Sequence, residues 1–248
     1  MVRRGFAAEA ERLASAVRAE LGLVADDRLD PRALATEYGI PVAPITDLIA
    51  EGADAASIRQ LTVVDRGSFS AGTVLVATTR LIVFNPVHSD GRLANSVTHE
   101  LAHVLLEHRP GPAIGPGGCR VWDQNMEDEA DLLAAALLVP RDAALSCARV
   151  GLPHAVGAKR FGVSPDLMRW RTDHTGAGKQ ARAAAQRRGH AIARLPAGDE
   201  ADLVTACDLT WLADLTARDW RTVLAACGRA GGSAQRLMQC LQRPSPPG

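Results

Sequence analysis

Apolar and polar positions alternate along the chain with two periods, and the switch between them outlines the fold. From about Arg4 to Leu21 the pattern is helical and amphipathic, and Asp30-Pro31 supplies an N-cap and first-turn pair for a second helix. β-Branched residues then cluster at Ile58 to Val64 and Val74 to Phe84, interrupted by Gly67 and Gly72, which predicts a small sheet of three or four strands. Val97, Leu101, Val104 and Leu105 return to helical spacing and place a helix over about Gly91 to His108. The Ala- and Leu-rich stretch from Glu127 to Val139 predicts another helix, closed by Pro140. Beyond it only helical patterns remain. The predicted class is α+β: a small mixed sheet packed on helices, followed by an all-helical C-terminal region.

Three units follow: residues 1–145 with the sheet, 146–190 as a small helix-turn-helix-like unit, and 191–248 as a helical segment with a disordered tail. In the middle unit Gly162 ends one helix and Ser164-Pro165-Asp166 starts the next. In the last, Trp211, Leu212, Leu215, Trp220, Val223 and Leu224 form an apolar stripe expected to dock or fill a core. The closing Pro-Ser-Pro-Pro-Gly reads as the tail.

Composition narrows the class. With 28 basic and 28 acidic residues, bulk charge gives no pull toward nucleic acid or anionic membranes. No apolar run reaches membrane-spanning length, and the Arg-containing start has no apolar signal core, so a cytoplasmic, non-membrane protein is expected. Five Cys without a CxxC pair argue for reduced thiols rather than a disulfide framework. Cys119, directly after the Pro- and Gly-rich stretch from Arg109 to Gly118, is the one that could reach the chemistry described next.

That chemistry lies in His99-Glu100-Leu101-Ala102-His103. Positions i and i+4 of a helix stand on one face, so both imidazoles can grip one metal ion while Glu100 points to a neighbouring azimuth. Zinc held by two imidazoles and one further protein ligand keeps a position for water, whose proton Glu100 is placed to take. The competing reading, polar residues on an ordinary amphipathic helix, leaves two imidazoles on a largely apolar helix without partners.

A third ligand is sought on the second helix, whose start carries Glu127, Asp128, Glu129 and Asp131. Asp128 and Glu129 suit a first turn that complements the helix dipole. Asp131 follows Glu127 by one turn on the same face, where it could accept the free ring N–H of a ligating His. Glu127 and Glu129 both stay open as the ligand at this point.

Thr98 to His108, together with Glu127-Asp128-Glu129-Ala130-Asp131 running into Leu137-Leu138-Val139-Pro140, resembles the ImmA/IrrE-type zinc metallopeptidases. The resemblance extends to Leu34–Val42, Val74–Pro86 and Lys159–Arg171, roughly residues 30 to 175. It implies a Zn2+ site of His99, His103 and Glu127, with Glu100 as general base and then general acid. Asp131 stands where the family usually carries Asn. It also implies a protein substrate, a transcriptional repressor of the helix-turn-helix type whose cleavage releases stress-response or mobile-element genes. For the oxyanion donor, His88, Arg92 and His108 are candidates by proximity in sequence.

The alternative class is a DNA- or protein-binding regulator that keeps the zinc fold as a scaffold. Its DNA contacts would be Arg169 and Arg171, backed by Lys179, Arg182, Arg187 and Arg188. An intact Glu100 speaks for the enzyme, since a structural site needs no base.

Overall fold

The structure is a computed structural model that describes residues 3–76, 79–108 and 123–192. The loop with Cys119, the Trp211–Leu224 stripe and the C-terminal tail lie outside the described residues, as does nearly all of the 191–248 segment.

Helix α1, Phe6–Glu20, buries Phe6, Ala10, Ala14 and Val17 along one stripe. Helix α2, Pro31–Glu37, begins where Asp30 accepts a hydrogen bond from the Arg32 amide. Strand β1, Val42–Pro44, follows, and a short 3-10 turn, Ile45–Ile49, leads out of it. Helix α3, Ala55–Arg59, continues as a π-helical turn over Gln60–Val64. Strands β2, Ala71–Val76, and β3, Thr79–Phe84, complete the sheet. Helices α4, Asp90–Leu105, and α5, Gln124–Leu138, precede the closing helices: α6, Arg141–Arg149; α7, His154–Phe161; α8, Pro165–His174; and α9, Ala177–Ile192. The fold is mixed α+β and helix-rich, and among the described residues no helix is long and apolar enough to cross a membrane.

The sheet has the order β1-β3-β2. β1 runs parallel to β3, with Val42 opposite Ile82; β2 runs antiparallel to it, with Thr73 opposite Ile82. Central strand β3 is covered on both faces, which explains its unbroken apolar end. Ile82 and Phe84 join the main core under the helices, while Val83 points the other way into a small cluster with Ile45 and Ile58.

That second cluster corrects one expectation: Ile58 to Val64 is helical and not a strand. Asp54 caps the segment by accepting from the Ala56 and Ser57 amides. Ile58, Leu61 and Thr62 fall at helical spacing, and Thr62 Oγ1 donates to the Ile58 carbonyl. Packing against Val83 outweighs the β-propensity of Thr62, Val63 and Val64, whose two valines stay exposed.

Helix α5 lies at the centre of the molecule. From Leu133 to Leu138 every residue is buried, between α1 on one side and α4 on the other. Its alanines let neighbouring backbones approach closely. Two buried arginines then hold its C-terminal end. Arg18 of α1 donates to the Leu137 carbonyl (2.8 Å), and to Val24 and Asp27 carbonyls in the loop after α1. Arg171 of α8 donates to the Val139 carbonyl (2.7 Å) and to Glu11 Oε1 (2.6 Å). Both cations satisfy carbonyls that a helix leaves unpaired, at the negative end of its dipole.

This corrects the DNA-contact expectation for Arg171, which is 3% exposed and committed to the interior. Arg169 is exposed and pairs with Asp166 at 2.6 Å. The α7–α8 unit shares the main core through Phe161, Val163 and Met168. Gly91, in the first turn of α4, packs so closely on the turn between α7 and α8 that a Cβ there would lie 2.7 Å from the Val163 carbonyl carbon.

Removing Arg171 should therefore loosen the body of the protein. Arg171→Ala is expected to lower the unfolding free energy by about 3 kcal/mol in urea, with Arg171→Lys recovering only part of it because it lacks the fork that reaches two acceptors. A loss below about 1 kcal/mol would show that the clamp does not hold α5. The Cys147 thiol, pushed up to about 11 by burial, is expected to stay protonated and resist alkylation at pH 9 in native protein while reacting once the chain is unfolded. Peptide mapping after brief iodoacetamide treatment checks this.

Candidate metal centre

The capped start of α5 sets one side of the site. Asp123 accepts from the Asn125 amide, and Glu127 follows in the first turn. On the facing helix, Val97, Thr98, Leu101 and Ala102 of α4 are buried in the core, which turns His99 and His103 toward α5. His99 Nε2 lies 3.0 Å from His103 Nε2 and 3.1 Å from Glu127 Oε2, and His103 Nε2 lies 3.5 Å from the same oxygen.

These separations test whether the donors fit an ion. Zinc bonds of about 2.0–2.1 Å in a tetrahedral arrangement space neighbouring ligand atoms about 3.3 Å apart. The three measured distances bracket that value, and two imidazole nitrogens with one carboxylate oxygen are a donor set that zinc accepts. His99, His103 and Glu127 therefore could hold a metal ion. Their side chains are 19%, 19% and 20% exposed, so the site opens to solvent on one side.

Around this triad each acidic candidate has a distinct place. Asp131 Oδ1 sits 2.8 Å from His99 Nδ1, on the ring nitrogen facing away from the triad. Glu129 points elsewhere, to Arg3 Nε at 3.3 Å and toward His108 Nε2 at 3.6 Å. Glu100 accepts a 2.7 Å hydrogen bond from Thr73 Oγ1 of β2. Nothing in the sequence pattern singles out Thr73, because its partnership with Glu100 spans 27 residues and depends on sheet register.

The three oxyanion candidates are already engaged. His88 Nε2 lies 3.0 Å from the Phe69 carbonyl, and Arg92 donates to Ser70 Oγ at 2.7 Å. His108 Nδ1 is 2.9 Å from His103 Nδ1.

Burial disfavours charge on both imidazoles of the triad, with opposite net results. At His99 burial is the largest single influence and pulls the pKa down, but the hydrogen bond and charge of Asp131, helped by Glu100 and Glu127, together raise it above the ordinary value. At His103 burial and the neighbouring His99 cation prevail, and the pKa is lowered.

The donor triad on facing helices, with a carboxylate directly after the first His, has the arrangement that the HExxH spacing sets up for holding one ion beside an acid. Residues 59–172 match the model of a peptidase family described as the IrrE N-terminal-like domain, so this part of the chain is similar to ImmA/IrrE-type proteins. No curated protein and no solved structure matches the chain.

The electrostatics give a titration test. In metal-free protein the His99 ring is expected to titrate above the ordinary His value and the His103 ring below it, as followed by ring NMR. Asp131→Asn removes the strongest of the charges that oppose burial, so the His99 pKa should then fall. Two rings titrating together in wild type would contradict the arrangement.

Proposed function

We propose that the chain is a zinc-dependent endopeptidase acting in the cytoplasm on a transcriptional repressor of the helix-turn-helix type. The observation that carries the peptidase reading is the convergence of His99, His103 and Glu127, with the carboxylate of Glu100, held at one oxygen by Thr73, following His99 on the same helix. The substrate class rests on the family resemblance alone.

Zinc in such a site supplies a Lewis acid for the scissile carbonyl and lowers the pKa of water. His99, His103 and Glu127 would hold it, and Asp131, on the far nitrogen of His99, keeps the lone pair of Nε2 free for the ion. Glu100 takes the proton of the attacking water and returns it to the departing amide nitrogen. Thr73 holds one oxygen of Glu100, leaving the other available for that proton. Among the described residues β2 pairs with β3 only, so its other edge offers backbone groups to an extended peptide running past Glu100.

Glu100→Gln should keep one zinc per chain and lose at least about 100-fold in cleavage, since a general base contributes about 10²–10⁴-fold. Glu127→Ala should lose the zinc itself. The assay incubates purified, zinc-loaded protein with a purified repressor and maps products by mass spectrometry. Cleavage by Glu100→Gln at the wild-type rate would overturn the mechanism, and a repressor left intact by active enzyme would overturn the substrate assignment.

A further inference from the structure

The C-terminal end of α4 carries a feature that the proposed reaction does not use. Glu107 has φ 55°, and it is the non-glycine residue with positive φ among those described. Its amide donates to the Val104 carbonyl at 3.0 Å, and the His108 amide donates back to the His103 carbonyl at 2.9 Å. This pair of bonds is a Schellman ending, in which the residue two past the cap folds over the residue three before it. That contact is usually apolar, and the left-handed position is usually glycine. Here the two residues brought together are His108 and His103.

Their rings meet edge to face, with centroids 5.0 Å apart and Nδ1 atoms 2.9 Å apart. The His108 side chain is 10% exposed, so water does not readily replace this partner. If His103 uses Nε2 toward a metal, its proton must sit on Nδ1 and be donated to His108 Nδ1. His108 then carries its own proton on Nε2, the nitrogen facing Glu129 Oε2 at 3.6 Å. The other oxygen of Glu129 is held by Arg3, from the segment before α1. A carboxylate so placed favours the tautomer with the proton toward it.

We propose that His108 is a positioning residue for His103, fixing its tautomer and ring plane for metal binding, with Glu129 and Arg3 fixing His108 in turn. The inference rests on the metal-site reading above. It makes the two imidazole ligands differ: His99 is backed directly by the carboxylate of Asp131, and His103 by a neutral ring that a carboxylate polarises from behind.

The test measures zinc affinity by chelator competition for wild type, His108→Leu and His108→Asn. Leucine fills the space without accepting a hydrogen bond, whereas the asparagine carbonyl oxygen lies near the position of Nδ1. His108→Leu is expected to bind zinc about 10–100-fold more weakly, the loss typical of removing a ligand's outer partner, and His108→Asn to recover most of it. Ring NMR of zinc-loaded wild type should show His103 protonated on Nδ1, a readout that stands even if His108→Leu folds poorly. Equal affinity in all three proteins, or an Asn variant no better than Leu, overturns the positioning role. Wild type that binds no zinc instead overturns the metal reading beneath it.

Discussion

The packing of α4 against α5 is the constraint on which the rest depends. Glu127 reaches His99 and His103 only because two helices lie close enough for one carboxylate oxygen to stand within 3.1 and 3.5 Å of two imidazole nitrogens. Small residues set that approach: Ala130 and Ala134 on α5 and Ala102 on α4 are buried almost completely. A larger side chain in this seam would separate the helices by more than the ligand atoms can follow, since close-packed interiors transmit such changes rather than absorb them.

Fixing the axial position of α5 is a separate problem, because a smooth alanine-rich face gives little resistance to sliding. Arg18 and Arg171 solve it by tying the Leu137 and Val139 carbonyls to α1 and α8. Burying two guanidinium groups is unfavourable by itself, and burial lowers both pKa values from that of a free arginine. The compensation is a set of short bonds to carbonyl oxygens and, for Arg171, to Glu11. These contacts lie about three turns from Glu127 along a rigid rod, so an anchor in the core positions the Glu127 carboxylate beside the two imidazoles.

What could be read from the sequence follows the range of the interactions concerned. The His99–His103 pair, the helix stop at Pro140, the Asp30-Pro31 start and the Ser164 cap are local devices, and their geometry is written within a few residues. Asp131 was legible because it shares a helical face with Glu127. Ile58–Val64 combines the β-branched composition of a strand with the Ile58, Leu61, Thr62 spacing of a helix, and packing against the Val83 face of β3 decides between them. Arg171 looked like a groove-reading cation because its acceptors, Glu11 and Val139, are distant in sequence. Thr73 and Arg3 were invisible for the same reason.

The same contrast of range explains how the site divides its work. Groups that would touch metal or substrate come from short motifs on two helices, whereas the groups that orient them come from β2, from the segment before α1 and from the turn after α4. An orienting partner needs only one polar atom at a defined place, so any element that passes nearby can supply it. A ligand triad must instead keep several atoms in fixed mutual geometry, which a rigid helix does better than a loop. Glu107 marks where these demands meet: the chain accepts a left-handed residue other than glycine at the end of α4, and the turn it makes brings His108 onto His103.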